Sequence, residues 1–431
     1  MFKKLIQLQL EKFVIKYFKA HPDVRLIVVV GSVGKTSTKS ALARVLGRTM
    51  RVRMHPGNHN TDISAPLAML GVDYPKSLRS ISEWQRVFKE VRARVEQPAD
   101  VDVVIQELGV DRPGDMKRFI RYVQPELAIV TAITPEHMAN FTDLGQVARE
   151  ELMISQVSKL VVVNANDTDQ EYFKFIDPGT KVLTYGFNTE DDYRYDIESS
   201  APESGYTGTV VTKDSGVVAP MSLKVVGRHS TLPILGAVAV SHVLGVSIED
   251  AIAGVSDMSQ VPGRMNILKG IQGSTIIDDT YNSSPAALKG ALEALFAMSG
   301  SQRVAILGSM NELGETSRQE HEAVGRLCVP ASLDILITVG EEANSYLAPA
   351  AKDSGCVVYQ AWNALEAGEL ARSLMIPGAV ILAKGSEGGI FVEEAVKYLL
   401  DNKSDEASLV RQSAEWMNRK RKYFEGSKKG D

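Results

Sequence analysis

The sequence has little cysteine and no long apolar run, and both absences narrow what the chain can be. Its two cysteines, Cys328 and Cys356, form no CxxC pair, so neither a disulfide framework nor a zinc site is expected, and a reducing cytosol fits. No run of about eighteen apolar residues occurs, so nothing is expected to span a membrane. Lysines interrupt the apolar positions of the N-terminal segment, whereas a signal peptide has an uninterrupted apolar stretch. We therefore predict a cytoplasmic protein.

Charge and composition exclude further classes. A net charge of −5 over 431 residues gives no reason to expect nucleic-acid binding. Hydrophobic residues make up 44% of the chain and charged residues 23%, as in ordinary globular proteins. The chain is too long for a single hydrophobic core, so two or three domains are expected.

The clearest local pattern is a phosphate-binding loop at residues 31–37 (GSVGKTS), after an apolar run typical of a buried parallel strand and before an amphipathic helix. Glycines let backbone N–H groups approach phosphates, and the helix N-terminus adds a positive dipole. The pattern predicts that Lys35 reaches the β- and γ-phosphates of a nucleoside triphosphate and that the Thr36 hydroxyl holds Mg²⁺. The remaining predicted nucleotide-binding positions of the loop are Gly31, Ser32, Gly34 and Ser37.

This loop has only the short form of the motif, G-x-x-G-K-[ST]. The full template has a glycine five positions before Gly34, where Val29 stands. The alternative interpretation is a tight strand-to-helix turn that carries a lysine by chance.

Apolar strands alternate with helical stretches along most of the chain. In the first part, strands are predicted at 26–30, 103–106, 127–131, 160–163 and 182–185, which favours a mostly parallel sheet with helices on both faces. Residues 186–226 predict a small antiparallel patch with strands at 206–211 and 222–226, and helices follow at 233–244 and 248–255. A second series of strands is predicted at 275–278, 303–307, 335–339, 357–359 and 380–383.

The predicted fold class is α/β: a P-loop central domain with a mostly parallel sheet and a small antiparallel patch, then a Rossmann-like C-terminal α/β domain. The boundary is expected near Gly263, where a Pro-Gly pair separates the two series. The expected divisions are an amphipathic helix at 1–24, the central domain at 25–263, the C-terminal domain at 264–400 and a charged tail at 401–431. The Lys- and Gly-rich end of that tail is expected to be frayed.

Residues 2–19 predict one amphipathic helix with five lysines among its apolar positions. Such a helix can lie on an anionic membrane surface, so peripheral membrane contact through residues 2–19 is one alternative. Packing against its own protein, with the lysines in water, is the commoner outcome.

Four groups of polar residues follow predicted strands, where α/β sheets hold their ligands. Glu107 could hold Mg²⁺ opposite the phosphate loop, although a solvated strand-end glutamate is as common. His137 could complete a metal shell as a neutral imidazole, although a lone histidine is more often structural. Arg264 at the domain junction could bind a phosphate with bidentate geometry. Asp278 could accept hydrogen bonds from ribose hydroxyls.

Taken together and in this order, these motifs resemble the Mur ligases, ATP-dependent enzymes that form amide bonds in cell-wall synthesis, and the MurF-type branch most closely. The stretches that carry the resemblance, from about residue 26 to 400, are 57–66 (GNHNTDISAP), 107–109 (ELG), 278–285 (DDTYNSSP), 308–314 (GSMNELG) followed by His321, and 384–386 (KGS).

The resemblance implies ATP and Mg²⁺ as cofactors and small-molecule carboxylate and amine substrates, such as a muramoyl peptide and a dipeptide. It implies that Lys35, Glu107 and His137 are catalytic, and that Thr36, Glu107 and His137 serve metal ions. Glu151 is added to both sets as a hypothesis from the alignment. Arg264, Asp279 and Asn282 would clamp ATP from the C-terminal domain. The implied substrate residues are Asn58, Asn60, Thr61, Asp62, Glu312, Lys384 and Ser386.

By the same resemblance, a substrate carboxylate attacks the γ-phosphate of ATP to give an acyl phosphate and ADP. An amine then attacks the acyl carbon and releases phosphate. The site must neutralise charge on the transferred phosphoryl group and hold two substrates in line, and closure of the two domains would complete it.

The sequence departs from the family pattern at four places. About 25 residues precede the first strand, where MurF enzymes carry a domain that grips the UDP group, so it is left open whether the substrate is linked to UDP. Glu151 occupies the aligned position of a lysine that is often carbamylated in the family, and we hypothesise that it supplies that carboxylate directly, with Glu150 as the second candidate. Two asparagines of the adenine-reading stretch are absent at 227–237, where Pro233 stands at the position of the second. Ser309 and Glu387 replace residues of the MurF amine site, so the amine need not be D-alanyl-D-alanine.

Three functions remain open at this point. The first is a MurF-like ligase for a cell-wall peptide, and the second is a folylpolyglutamate-synthase-like or cofactor-tailoring ligase of the same fold. Residues 58–66 and 310–314 favour the first. The third is a nucleotide-binding subunit that needs a partner, which the retained phosphate, metal and clamp residues argue against.

Overall fold

The computed structural model describes residues 2–201, 205–258 and 260–427 and contains two sheets. The first sheet has strands β1 Arg25–Val30, β2 Val52–Met54, β3 Val103–Glu107, β4 Leu127–Val130, β5 Leu160–Asn164, β6 Lys181–Gly186, β7 Tyr193–Ala201, β8 Gly205–Thr212 and β9 Val218–Leu223. Their order is β2-β3-β1-β4-β5-β6-β7-β8-β9. Neighbours from β2 to β7 pair in parallel, whereas β7, β8 and β9 form an antiparallel meander.

The second sheet contains β10 Asn266–Lys269, β11 Thr275–Asp279, β12 Arg303–Gly308, β13 Ile335–Val339, β14 Val357–Ala361 and β15 Val380–Lys384. The strand order is β10-β11-β15-β12-β13-β14, and only the edge strand β10 pairs in the antiparallel direction. The predicted fold class is therefore confirmed.

Helices cover both faces of each sheet, as parallel strands require. They are α1 Phe2–Ala20, α2 Lys35–Leu46, α3 Ser64–Leu70, α4 Ile81–Glu96, α5 Asp115–Phe119, α6 Leu144–Leu152, α7 Thr231–Val243, α8 Ile248–Val255, α9 Pro285–Ala297, α10 Ser317–Gly325, α11 Ala348–Asp353, α12 Ala364–Leu374, α13 Glu393–Val396 and α14 Ala414–Ser427. On the first sheet, α1, α3, α4 and α6 share one apolar core, and α2, α7 and α8 share the core on the opposite face.

Three strand or helix predictions need correction, and three strands were not predicted. The strand predicted at 222–226 is β9, which ends at Leu223, because the alternation that pairs with β8 begins at Val218. Strands β2, β7 and β10 were not predicted, since each is short or polar on one face. The helix predicted from residue 233 begins at Thr231. Within 401–427 the chain forms helix α14, which the expectation of a charged tail did not include. The end of the tail that was expected to be frayed lies mainly outside the described residues.

Helix α1 packs on its own protein. Its buried face contains Ile6, Leu10, Phe13, Val14 and Tyr17, and contacts α3 and α4. No helix in the described ranges has the length and apolar character needed to cross a membrane.

Candidate active site

A cavity of about 640 Å³ lies between the carboxyl edges of the two sheets. Both lobes contribute polar side chains to it, which is the arrangement expected for ligands of open α/β sheets. The predicted site residues that line it are Ser32, Gly34, Lys35, Thr36, Ser37, Asn58, Asn60, Glu107, His137, Arg264, Asp279, Asn282, Glu312 and Lys384. Gly31, Thr61, Asp62, Glu151 and Ser386 do not line it.

The phosphate loop connects the buried end of β1 to the first turn of α2. Gly31 has φ +120°, and a Cβ there would lie 2.6 Å from Thr131 Oγ1, so the loop needs glycine at this position. The Lys35 ammonium folds over the loop and donates to the carbonyls of Gly31 and Ser32. Burial lowers the pKa of Lys35, but nearby carboxylates, Glu136 foremost, outweigh burial and leave the pKa above its ordinary value. Lys35 therefore stays charged beside the loop.

Glu107 lies at the end of β3, facing the phosphate loop. Its Oε2 accepts a hydrogen bond from Thr36 Oγ1 at 3.2 Å and lies 3.3 Å from Lys39 Nζ. Its Oε1 accepts from Asn60 Nδ2 at 3.1 Å. Burial raises the pKa of Glu107, but the charges of Lys39, Lys35 and Arg264 lower it further, so the net shift is downward. The carboxylate is therefore ionised inside the protein.

Glu151 lies on the other side of the loop and does not line the cavity. Its Oε2 accepts a hydrogen bond from the Gly31 N–H at 2.9 Å, and burial raises its pKa to about 7. Glu150 points away, where its carboxylate accepts hydrogen bonds from the N–H groups of Gly114 and Met116 at 2.8 and 3.2 Å. Of these two candidates, only Glu151 contacts the phosphate loop.

His137 is held by carboxylates from both lobes. Its Nδ1 lies 2.5 Å from Glu312 Oε2 and its Nε2 lies 3.3 Å from Asp111 Oδ1. His137 and Glu312 both have positive φ, at 54° and 66°, so the backbone is strained at both residues of this contact. Burial lowers the pKa of His137, but its hydrogen bond to Glu312 and the nearby carboxylates outweigh burial and leave the pKa raised.

The predicted metal residues are therefore brought together only in part. Thr36 and Glu107 contact each other, whereas both ring nitrogens of His137 face carboxylates and Glu151 faces Gly31. Within the described ranges, no group of three His, Cys, Asp or Glu side chains is arranged to hold a metal ion. A metal at Thr36 and Glu107 would need further oxygen ligands from water or phosphate.

The second lobe reaches the phosphate loop through Arg264. Its Nη2 donates to Thr36 Oγ1 at 3.3 Å, and its guanidinium lies 4.3 Å from the centre of the Tyr281 ring. The Nε of Arg264 is buried without a hydrogen-bond partner, so this side chain can bind a further acceptor.

Asp279 and Lys384 form a buried pair at the end of β11 and β15. Lys384 Nζ lies 2.5 Å from Asp279 Oδ2 and donates to the Asn282 carbonyl at 2.9 Å. Asp278 does not line the cavity, since its carboxylate accepts hydrogen bonds from Gly263 and Thr280, so the expected ribose contact is not available to it. Burial raises the pKa of Asp278 to about 6.

The predicted substrate residues divide into two groups. Asn58, Asn60, Glu312 and Lys384 line the cavity, and Asn58 Nδ2 donates to the Tyr281 hydroxyl of the other lobe. The other three are bonded elsewhere: Thr61 bonds Ser64, Asp62 pairs with Arg118, and Ser386 accepts from the Asn311 N–H and donates to the Ser283 carbonyl.

Sequence reasoning missed three residues that shape the site. Lys39 lies one helical turn after Lys35 and points the same way, a spacing that could have identified it. Tyr281 contacts Arg264 and Asn58, and Arg411 donates to the carbonyls of Thr280 and Tyr281. Tyr281 lies in the stretch 278–285 that carries the family resemblance, but its contacts, like those of Arg411, join residues that are far apart in the chain and leave no local signal.

Beside the phosphate loop, where a Cβ on Gly34 would lie 3.8 Å from Pro233 Cγ, the cavity wall is partly apolar. Leu232, Pro233 and Ile234 of α7 lie there with Tyr185, and Asn164 and Asp167 supply polar groups beside them. The Nδ2 of Asn164 is already bonded to the Thr131 carbonyl and to Asp167.

Comparison with known proteins gives consistent matches. The family model described as "Mur ligase middle domain" matches residues 29–241, and that described as "Mur ligase, glutamate ligase domain" matches residues 263–387. Relatives named UDP-N-acetylmuramoyl-tripeptide–D-alanyl-D-alanine ligase include one from Bacillus subtilis, 26% identical over 88% of this chain and 76% of its own length. Another, from Escherichia coli, is 25% identical over 74% of this chain and 66% of its own length. The solved structure of MurF ligase from Thermotoga maritima in complex with ADP has a similar fold, with a TM-score of 0.74, 23% identity, and coverage of 93% of this chain and 84% of that one.

Proposed function

The chain belongs to the Mur ligase family, and from that premise we propose that it joins a carboxylate to an amine through an acyl phosphate made from ATP. Its homologues are ATP-dependent MurF-type ligases of peptidoglycan precursor synthesis. This supports the ligase interpretation over a folate-type ligase and over a nucleotide-binding subunit. The observation that carries the proposal is the contact of Arg264 with Thr36, because it brings a cation of one lobe onto the phosphate loop of the other.

Three cations are proposed to hold the triphosphate. Lys35 and the loop N–H groups face the phosphates from the first lobe, and Arg264 faces them from the second. Lys384, fixed by Asp279 and Asn282, adds positive charge at the end of β15. Together they would neutralise the charge that develops when the γ-phosphoryl group is transferred.

Mg²⁺ is proposed to bind at Thr36 and Glu107. The hydroxyl and the ionised carboxylate lie 3.2 Å apart and are the oxygen ligands that Mg²⁺ prefers, so the residues fit the ion. Bound there, the ion would polarise the phosphate oxygens. We propose that Glu151 acts through Gly31, whose N–H it fixes, in place of the direct metal contact that the resemblance implies.

The proposed reaction has two bond exchanges. A carboxylate oxygen of the acceptor attacks the γ-phosphorus, the bond from that phosphorus to the bridging oxygen breaks, and ADP leaves. The amine nitrogen then attacks the acyl carbon, the carbon–oxygen bond to phosphate breaks, and the nitrogen loses a proton. Asn58 and Asn60 lie where they could orient the acceptor beside the phosphate loop.

The proposed substrates follow the names of the relatives. Those proteins are named for a UDP-muramoyl tripeptide and D-alanyl-D-alanine. For this chain we propose a peptide with a free carboxylate as the acceptor and an amino acid or dipeptide as the amine. We also propose that the two domains divide at 263/264. We propose that the protein is located in a reducing cytoplasm, and its two free, buried cysteines support this location.

A screen of ADP release tests the function. Muramoyl peptides with and without UDP are crossed with amino acids and D-dipeptides in the presence of ATP and Mg²⁺. We expect ADP release only when a carboxylate and an amine are both present. Lys35→Ala should reduce turnover by about a thousandfold, since it removes a charge that stabilises the transition state.

The matched control is Lys89→Ala, an exposed lysine on α4. It should release ADP at the rate of the unaltered protein. Full turnover by Lys35→Ala, with both proteins folded, would contradict the proposed site.

A further inference from the structure

The N-terminal ends of α1 and α4 carry an exposed apolar surface. Phe2 and Leu5 on α1 are 48% and 60% exposed, and Ile81 at the start of α4 is 66% exposed. The segment before α4 adds Tyr74 and Leu78, at 36% and 46%. We call these five residues the N-terminal patch.

The fold brings the two helix ends to the same edge of the first sheet. α1 leads into β1 and α4 leads into β3, and these strands are parallel neighbours with Arg25 opposite Val103. Both helices therefore end at the amino edge of the sheet and begin at its carboxyl edge. The Phe13 and Phe88 rings are 6.2 Å apart, and about two turns earlier on each helix stand Ile6 and Ile81.

The patch is connected to the cavity through the loop at 57–62. The Tyr74 ring lies 5.8 Å from the His59 ring, and His59 stands between the cavity residues Asn58 and Asn60. Trp84 Nε1 donates to the Leu78 carbonyl at 3.0 Å, which holds the segment before α4 against the helix. The patch and the cavity are thus on the same side of the first lobe.

Basic side chains outnumber acidic ones beside the patch residues in the sequence. Lys3, Lys4, Lys76 and Arg79 are exposed; the acidic residues are Asp73, which is exposed, and Glu83, which is half-buried and accepts a hydrogen bond from the Lys76 N–H. The net charge of the whole chain is −5. Exposed apolar side chains among basic ones suit the boundary between lipid headgroups and acyl chains. Two copies of the same basic surface would repel each other, which disfavours a symmetric dimer through it.

We propose that the N-terminal patch docks the protein on an anionic membrane surface. The apolar side chains enter the headgroup boundary and the surrounding cations face anionic lipid. The buried face of α1 stays packed on α3 and α4, so docking uses only the helix start. This places the loop at 57–62 beside the bilayer.

Vesicle co-sedimentation of the full chain tests the proposal. The vesicles contain phosphatidylcholine alone or phosphatidylcholine mixed with phosphatidylglycerol. We expect binding to the mixed vesicles that weakens as salt rises. Lys3→Glu with Lys4→Glu should reduce the partition coefficient by about tenfold or more, as should Leu5→Ser with Ile81→Ser.

Matched controls lie on the second lobe. Val357→Ser with Ile376→Ser alters two exposed apolar residues, and Lys289→Glu with Lys352→Glu alters two exposed lysines. Both control pairs should bind like the unaltered protein. Absence of binding, equal binding to neutral vesicles, or equal losses in the controls would overturn the proposal. So would a dimer that is lost in Leu5→Ser with Ile81→Ser while no vesicle binding is seen. Because the assay needs no turnover, its result is independent of the ligase function.

Discussion

Two buried glutamates flank the phosphate loop, and their surroundings differ. Glu107 faces the cavity with Lys39 at 3.3 Å, and the pKa of its carboxyl is lowered. Glu151 lies behind the loop, bonded to the Gly31 N–H, and burial raises the pKa of its carboxyl to about 7. Both are 2% exposed, so burial alone does not separate them.

The opposite pKa shifts of the two carboxyls are due mainly to the positively charged side chains near each one. Desolvation disfavours the charged form of any buried carboxylate, whereas nearby positive charge and donated hydrogen bonds favour it. Glu107 has Lys39, Lys35 and Arg264 around it, whereas Glu151 has Lys35, the Gly31 N–H and His137, and the negative charge of Glu136 opposes them. We therefore propose that Glu107 takes part in ligand chemistry and that Glu151 supports the loop.

Replacement of Glu107 should have the largest effect. Glu107→Gln removes the charge next to Thr36, so turnover should fall by about a hundredfold to a thousandfold and the Mg²⁺ concentration needed for half-maximal rate should rise. Steady-state ADP release at several Mg²⁺ concentrations measures both. Unchanged Mg²⁺ dependence would remove Glu107 from the proposed metal site.

Replacement of Glu151 should change the pH dependence of stability. A carboxyl whose pKa rises from 4.5 to about 7 on folding keeps its proton longer in the folded state. The free energy of unfolding therefore falls as pH rises through this interval, by about 3 kcal/mol at most. The free energy of unfolding of Glu151→Gln should not fall in this way, so the variant should be more stable than the unaltered protein above pH 7. Thermal unfolding at several pH values, without nucleotide or metal, measures this. Parallel pH profiles of the two proteins would contradict the assignment.

Replacement of Glu150 should have the smallest effect on catalysis. Glu150→Ala removes the acceptor of two N–H groups at the start of α5, so the free energy of unfolding should fall by about 1–3 kcal/mol. Turnover at a temperature where the variant stays folded should be unchanged. A loss of turnover in folded Glu150→Ala would contradict the assignment of Glu150 to structure alone.

The sequence predicted the parts of the fold that depend on local pattern. The apolar strands of both sheets and the phosphate loop were predicted because period and composition mark them within a few residues. The contacts of His137 with Glu312 and of Tyr281 with Asn58 were not predicted, because each joins residues from different lobes. Glu151 was placed near the loop by alignment, but its orientation toward Gly31 depends on the packing of α6.

The contacts of Arg411 affect when the candidate site can form during protein synthesis. Its guanidinium pairs with Glu393 and holds the carbonyls of Thr280 and Tyr281 at the cavity. The phosphate loop is synthesised long before this arginine, so the carbonyls of Thr280 and Tyr281 gain their hydrogen bonds only after both sheets have been translated. Proteolysis that removes residue 411 would therefore destabilise a part of the site that lies more than a hundred positions earlier in the chain.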